Sequence, residues 1–260
     1  MKKLKGFTLI ELLVVIAIIA LLLSIVVPSL RKAKQYAQRL ICSNQVRQLA
    51  VGCEIYSQLN DNYYPLNAAT GWLWDISYRT TDFLINQTGM VRDGFYCPAD
   101  VTKQPDDDRF WRWTESNPDV PRVPEPTDNT ARGNNYRVVS YFLLLDTEQG
   151  RGANYIARRN MDPKSPVRPW PRKTSDIKNA GSWELIADST ISVGTGKRDD
   201  QFVEIQGGSW VKWQVPDNTN HVDSRKRPLG TNVGFADGHV DWRPFDQMDV
   251  WGQFGPYHWW

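Results

Sequence analysis

Glu11 is the one ionisable side chain among the 21 residues from Phe7 to Val27. A carboxylate inside a membrane-spanning helix costs about 2.5–3.5 kcal/mol on insertion scales, so it needs either an exit or a partner. Near the helix end it can reach the headgroup layer. The alternative is a cation that the chain itself supplies. Cleavage between Gly6 and Phe7 turns the Phe7 nitrogen into an α-amino group one helical turn from Glu11. Within one chain the amine and the carboxylate lie at similar depth; between staggered copies, Glu11 of one neutralises the Phe7 amine of the next.

Other residue types offer other chemistry. Asp188, His221, Asp237, His239 and Asp241 carry ordinary metal-ligand groups. They form no compact ligand motif. The plainer reading gives Asp237 to a turn and places His239 and Asp241 on the outer face of a hairpin. The expectation is therefore no cofactor and no metal, with Asp188, His221 and Asp237 as the candidates should an ion bind. Asp106-Asp107-Asp108 lacks the periodic spacing of a calcium loop and reads as solvated. A Ser-His-Asp arrangement, a phosphate-cradling Gly loop, HExxH and CxxC are all missing from the sequence, so the chain is not expected to be an enzyme. The 12 Trp residues raise the alternative of a membrane-anchored glycan-binding module, with Trp251, Trp259 and Trp260 as a stacking platform beside Trp242.

The elements that position these groups begin with the apolar run itself. Twenty-one helical residues span about 31 Å, the thickness of a bilayer core. Lys2, Lys3 and Lys5 precede it and keep the N-terminus cytoplasmic. Removing a leader with those three lysines leaves 28 basic against 29 acidic residues, and with them no basic patch that would suggest nucleic acid. The helix is predicted to continue past Pro28, which can kink it, to about Leu59. Cys42, Val46, Leu49, Cys53 and Tyr56 recur at steps of four and three, a face turned to a core. Asn60-Asp61-Asn62 ends it in turn chemistry. Cys42 and Cys53 are eleven residues apart on one helix, so about 16 Å apart, too far for a mutual disulfide. A disulfide would join Cys97 to one of them; three buried free thiols are the other possibility.

Further on, 138–145, 183–188, 202–205 and 210–215 read as strands, separated by irregular inserts over 101–137 and 150–173. Asp237-Gly238 suits a two-residue type I′ hairpin turn. That register pairs Phe235 with Val240 and Val233 with Trp242, and puts all four on one face.

The basic leader, Gly6, Phe7-Thr8-Leu9, Glu11 as the fifth residue after the cut and Pro28 as the twenty-second resemble the signal of type IV pilins and type II secretion pseudopilins. The stretch from Cys42 to Leu49, Tyr64-Pro65, and Phe95-Tyr96-Cys97-Pro98-Ala99-Asp100 resemble a group of pilin-like proteins. So does a C-terminal signature of a His followed by Phe-x-Asp-Gly-His, matched by His221 and by Phe235, Asp237, Gly238 and His239. The usual nine residues between the leading His and Asp-Gly are fifteen here, as if Asp223–Pro228 enlarged a loop.

The resemblance implies cleavage after Gly6 by a prepilin peptidase and N-methylation of Phe7, with Glu11 serving methylation and assembly. It also favours Cys42–Cys97 as the disulfide pair. The expected fold is α+β, a long N-terminal helix packed on an antiparallel sheet. Residues 1–6 are the leader, 7–29 the transmembrane and polymerisation helix, and 30–260 the soluble domain with helix over 30–59 and sheet and loops over 60–260. The expected partners are the peptidase, copies of the chain or other pseudopilins, and an inner-membrane assembly platform. The expected location is the inner membrane, single-pass, with the C-terminal domain in the periplasm.

Overall fold

The computed structural model describes residues 9–67, 73–106, 108–112, 136–146, 170–205, 217–253 and 256–260. Gly6, Phe7, the expected strand 210–215 and most of both inserts lie outside the described residues.

Helix α1 runs Leu9–Leu59 and carries Pro28 inside it. Glu11 is in its first turn, where a negative charge complements the helix dipole. The chain divides into two units, Met1–Gln38 and Arg39–Trp260. In the first, the large apolar side chains from Leu9 to Leu30 are exposed all round the helix. Among the described residues, α1 is the one helix long and apolar enough to cross a membrane.

In the second unit the same helix becomes amphipathic. Cys42, Val46, Leu49 and Cys53 are buried, as their spacing predicts, and Ala50, Gly52 and Ser57 join them. Tyr56 is half-buried, edge-on to Phe83 at 4.7 Å. Asp61 and Asn62 take left-handed conformations beyond the helix end, and the Asn62 N–H donates to the Ser57 carbonyl.

The remaining elements are α+β with antiparallel sheets. Strand β1 (Asp75–Ser77) leads into α2 (Tyr78–Thr88), capped by the Ser77 hydroxyl on the Thr80 N–H and ended by left-handed Gly89. A short helix α3 (Asp108–Trp111) follows. Strand β1 pairs with β2 (Tyr136–Val138). The main sheet has the order β3 (Tyr141–Leu143), β4 (Glu184–Asp188), β6 (Gly230–Phe235), β7 (Val240–Pro244). A third sheet joins β5 (Ile191–Ser192), β9 (Tyr257–Trp259) and β8 (Val250–Gln253).

Three expectations change. The apolar run 138–145 is not one strand: β2 ends at Val138 and β3 starts at Tyr141, in different sheets. The break falls where the Ser140 N–H donates to the Phe95 carbonyl and its hydroxyl donates to Asp100. The stretch 202–205 is irregular, tied by one bridge from Ile205 to Asp217, because Glu204 takes a left-handed turn and donates its N–H to Asn218.

The hairpin register also slips by one. The observed pairs are Gly234 with Val240, Val233 with Asp241 and Asn232 with Trp242. The Gly238 N–H donates to the Phe235 carbonyl, the Phe235 N–H to the His239 carbonyl, and Gly238 has φ +86°. The loop thus has three residues, a type I turn closed by a left-handed glycine, rather than two. A one-residue slip moves side chains to the opposite face. Val240 and Trp242 therefore share a face with Asn232 and Gly234, while Phe235 stacks on His239 with ring centroids 4.2 Å apart.

The face with Gly234 receives α1. A Cβ on Gly234 would stand 2.8 Å from a Val46 methyl carbon. Gly234→Ala is expected to lower stability by about 1–3 kcal/mol through overpacking. In a urea-unfolding cycle with Val46→Ala, the two changes should couple rather than add.

Candidate functional site

Four side chains from four stretches converge in the unit Arg39–Trp260. Cys42 projects from α1 and Asp188 ends β4. Cys97 opens the turn Cys97-Pro98-Ala99-Asp100, closed by the Asp100 N–H on the Cys97 carbonyl, with proline at the position whose fixed φ suits it. His221 sits in the loop before β6, at φ +49°.

Their donor atoms lie within 4.8 Å of one another, and all four residues are buried. The Sγ atoms of Cys42 and Cys97 are 3.2 Å apart, as free thiols. Cys42 Sγ is 2.6 Å from Asp188 Oδ1, Cys97 Sγ 3.4 Å from His221 Nε2, and His221 Nε2 3.3 Å from Asp188 Oδ2. A second ring of groups holds the first. The Tyr141 hydroxyl stands 3.3 Å from Cys42 Sγ, and the Ala99 N–H donates to Cys97 Sγ. Asp188 Oδ2 accepts from the Asn232 backbone and side-chain N–H groups at 2.8 and 2.9 Å.

Burial, then the neighbouring Cys97 and Asp188, push the Cys42 thiol well above its ordinary range. Burial also raises Cys97, but its contact with Cys42 and the His221 charge outweigh that and bring it down. Burial favours neutral His221; the Asp188 carboxylate and Cys97 outweigh it and push His221 up to about 10. The cluster is thus a buried set of sulfur, imidazole and carboxylate donors, able to bind a soft divalent cation.

The structure sorts the residues singled out in the sequence. Asp188 and His221 come together, and so do Cys42 and Cys97, at one place. Cys53 is buried but outside this group. Asp237 is not part of the group: it is exposed and serves its turn, accepting the His239 N–H. The enlarged loop after His221 closes on itself. Val222 bridges Pro228, Asp223 Oδ1 accepts from the Arg225 and Arg227 N–H groups, and the Leu229 N–H returns to the His221 carbonyl.

The tryptophan platform is not formed. Trp259 and Trp260 are buried, and Trp251 is half-buried, stacked on Trp260 at 5.6 Å. The Arg39 guanidinium covers the Trp242 ring at 4.1 Å. The polar tips of two of these rings are bonded within the protein: Trp259 Nε1 donates to Ser192 and Trp251 Nε1 to the Trp260 carbonyl.

A second polar knot was not visible in the sequence. Lys103 is fully buried, with Nζ 2.8 Å from Asp217 Oδ1 and 3.5 Å from Asp100 Oδ2. The two carboxylates outweigh burial and hold the ammonium above its ordinary range. Asp100 also accepts from the Thr102 and Lys103 N–H groups and the Ser140 hydroxyl.

The comparisons with known proteins cover part of the chain. The family model for the prokaryotic N-terminal methylation motif matches residues 1–27. The chain is 41% identical over 69 residues to the type IV wide pilus major component PilA4 of Thermus thermophilus. That alignment covers 26% of this chain and 52% of the relative, so the chain spans about half the length of the curated relative it matches. No solved structure matches the chain.

Removing the Lys103 ammonium takes a cation away from two buried carboxylates. Lys103→Met is expected to cost about 3–5 kcal/mol, read as a fall in the urea midpoint. Lys103→Met combined with Asp217→Asn should be less destabilising than Lys103→Met alone.

Proposed function

We propose that the chain is a structural subunit of a type IV pilus-like filament or type II secretion pseudopilus, and not a catalyst. A single observation carries this reading: the methylation motif over residues 1–27 coincides with an apolar helix whose first turn holds a lone carboxylate, Glu11. In this reading a prepilin peptidase cuts after Gly6 and the new Phe7 amine is methylated. The helix then leaves the inner membrane for the core of a filament. The similarity to a pilus component supports the reading, and so does the wholly exposed apolar surface from Leu9 to Leu30, which needs lipid or neighbouring helices around it.

Before assembly the chain would be a single-pass inner-membrane protein with the soluble domain, residues 30–260, in the periplasm. Its partners would be the peptidase, the membrane assembly platform, and copies of itself or related subunits. Glu11 would meet the Phe7 amine of the next subunit, where desolvation makes an unpaired charge costly.

Glu11→Val tests this. The variant should stay in the membrane fraction at the wild-type level, because it removes an insertion cost, and should vanish from sheared filaments. Filaments that still incorporate the variant as wild type does would refute the role given to Glu11.

A further inference from the structure

We propose that Cys42, Cys97, Asp188 and His221 form a closed structural site for a divalent transition metal, zinc by its donor set, independent of the filament reading. Tetrahedral zinc with bonds of about 2.0–2.3 Å places its ligand atoms about 3.3–3.8 Å apart. The Cys97 Sγ–His221 Nε2 separation of 3.4 Å and the His221 Nε2–Asp188 Oδ2 separation of 3.3 Å lie within that range, while the Sγ–Sγ separation of 3.2 Å is shorter than the about 3.8 Å of two zinc-bound sulfurs and has to widen. The 2.6 Å between Cys42 Sγ and Asp188 Oδ1 has to open when the ion enters.

The chemistry of the donors selects the metal. Two sulfurs and an imidazole favour zinc over magnesium or calcium, which take oxygen. Two thiolates and one carboxylate offset the two positive charges and leave one negative charge over. Donors surround that excess: the Ala99 N–H on Cys97 and the Asn232 backbone and side-chain N–H groups on Asp188; the Tyr141 hydroxyl stands beside Cys42 and gives its own proton to Gln45 Oε1. Such outer groups orient metal ligands and tune their basicity. Four protein donors, all buried, fill a tetrahedral site and leave no position for a reacting water, so the ion is structural.

The ion would bind the helix to the sheet. Cys42 belongs to α1, Asp188 to β4, Cys97 to the turn after Phe95 and His221 to the loop before β6, so one ion ties together segments 146 positions apart in the chain between Cys42 and Asp188 alone. The competing chemistry is a Cys42–Cys97 disulfide, which needs only an oxidant and would leave Asp188 and His221 without their sulfur partners.

The full chain, purified in detergent and passed into metal-free buffer, should carry about one zinc per chain by elemental mass spectrometry. Cys53→Ala, a buried thiol outside the site, should keep the metal. Cys97→Ser and His221→Ala should each lower occupancy at least tenfold. Cobalt exchanged into the wild-type chain gives a readout that does not depend on a variant's folding. A tetrahedral two-sulfur site should show intense visible ligand-field bands and sulfur-to-cobalt charge transfer. Wild-type chain with substoichiometric zinc and no thiolate–cobalt spectrum overturns the proposal, as does a Cys42–Cys97 linked peptide in the non-reduced digest of freshly isolated protein.

Discussion

Helix α1 has to satisfy two different surroundings with one hydrogen-bond pattern. Over its first unit the side chains are apolar on every face, which water does not tolerate over such a length and which lipid or other helices do. Over its second unit one face is buried against protein, and the exposed side mixes Asn44, Arg47, Gln48 and Gln58 with Leu40, Ile41, Val51 and Leu59. The backbone is the same helix throughout, from Leu9 to Leu59. The change of surroundings is written in the side chains alone, and the rest of the folded unit is laid against the buried face of the second part.

Polar groups hold that arrangement together more than its apolar pattern suggests. The turn Cys97-Pro98-Ala99-Asp100 feeds both buried knots: Cys97 enters the cluster with Cys42, Asp188 and His221, and Asp100 enters the one with Lys103 and Asp217. Residues 140 and 141 link the same two places. The Ser140 hydroxyl donates to Asp100, and the Tyr141 hydroxyl stands beside Cys42. This accounts for the broken strand at 138–145, since a continuous strand would not present Ser140 to Asp100. Buried charges are tolerated when each is paired and hydrogen-bonded, and both knots meet that condition.

The helix and its buried face were legible in the sequence because both depend on periodicity, which is local. The turn at Asn60-Asp61-Asn62, read from its turn chemistry, and the strand read over 183–188 and found over Glu184–Asp188 were legible because those signals are local too. The hairpin was recognised but misregistered, because Asp-Gly serves a three-residue loop with left-handed Gly238 as well as a two-residue turn, and apolar alternation favoured the wrong choice. The buried site was half legible. Cys42 with Cys97 was singled out as a possible disulfide, and Asp188 and His221, together with Asp237, as candidate metal ligands, but nothing in their spacing joins a helix, a turn, a strand end and a loop. Lys103 gave no signal at all: a lysine in a stretch rich in Asp and Pro reads as solvated, and its nearer carboxylate partner, Asp217, lies 114 positions on.

The account rests on the first few residues being a processing signal for the helix that follows. The most direct measurement is mass spectrometry of the mature N-terminus of chain recovered from its native membrane. The account predicts a chain that begins at Phe7 with a methylated amine. A chain that begins at unmodified Met1, or after Ser29, would contradict it.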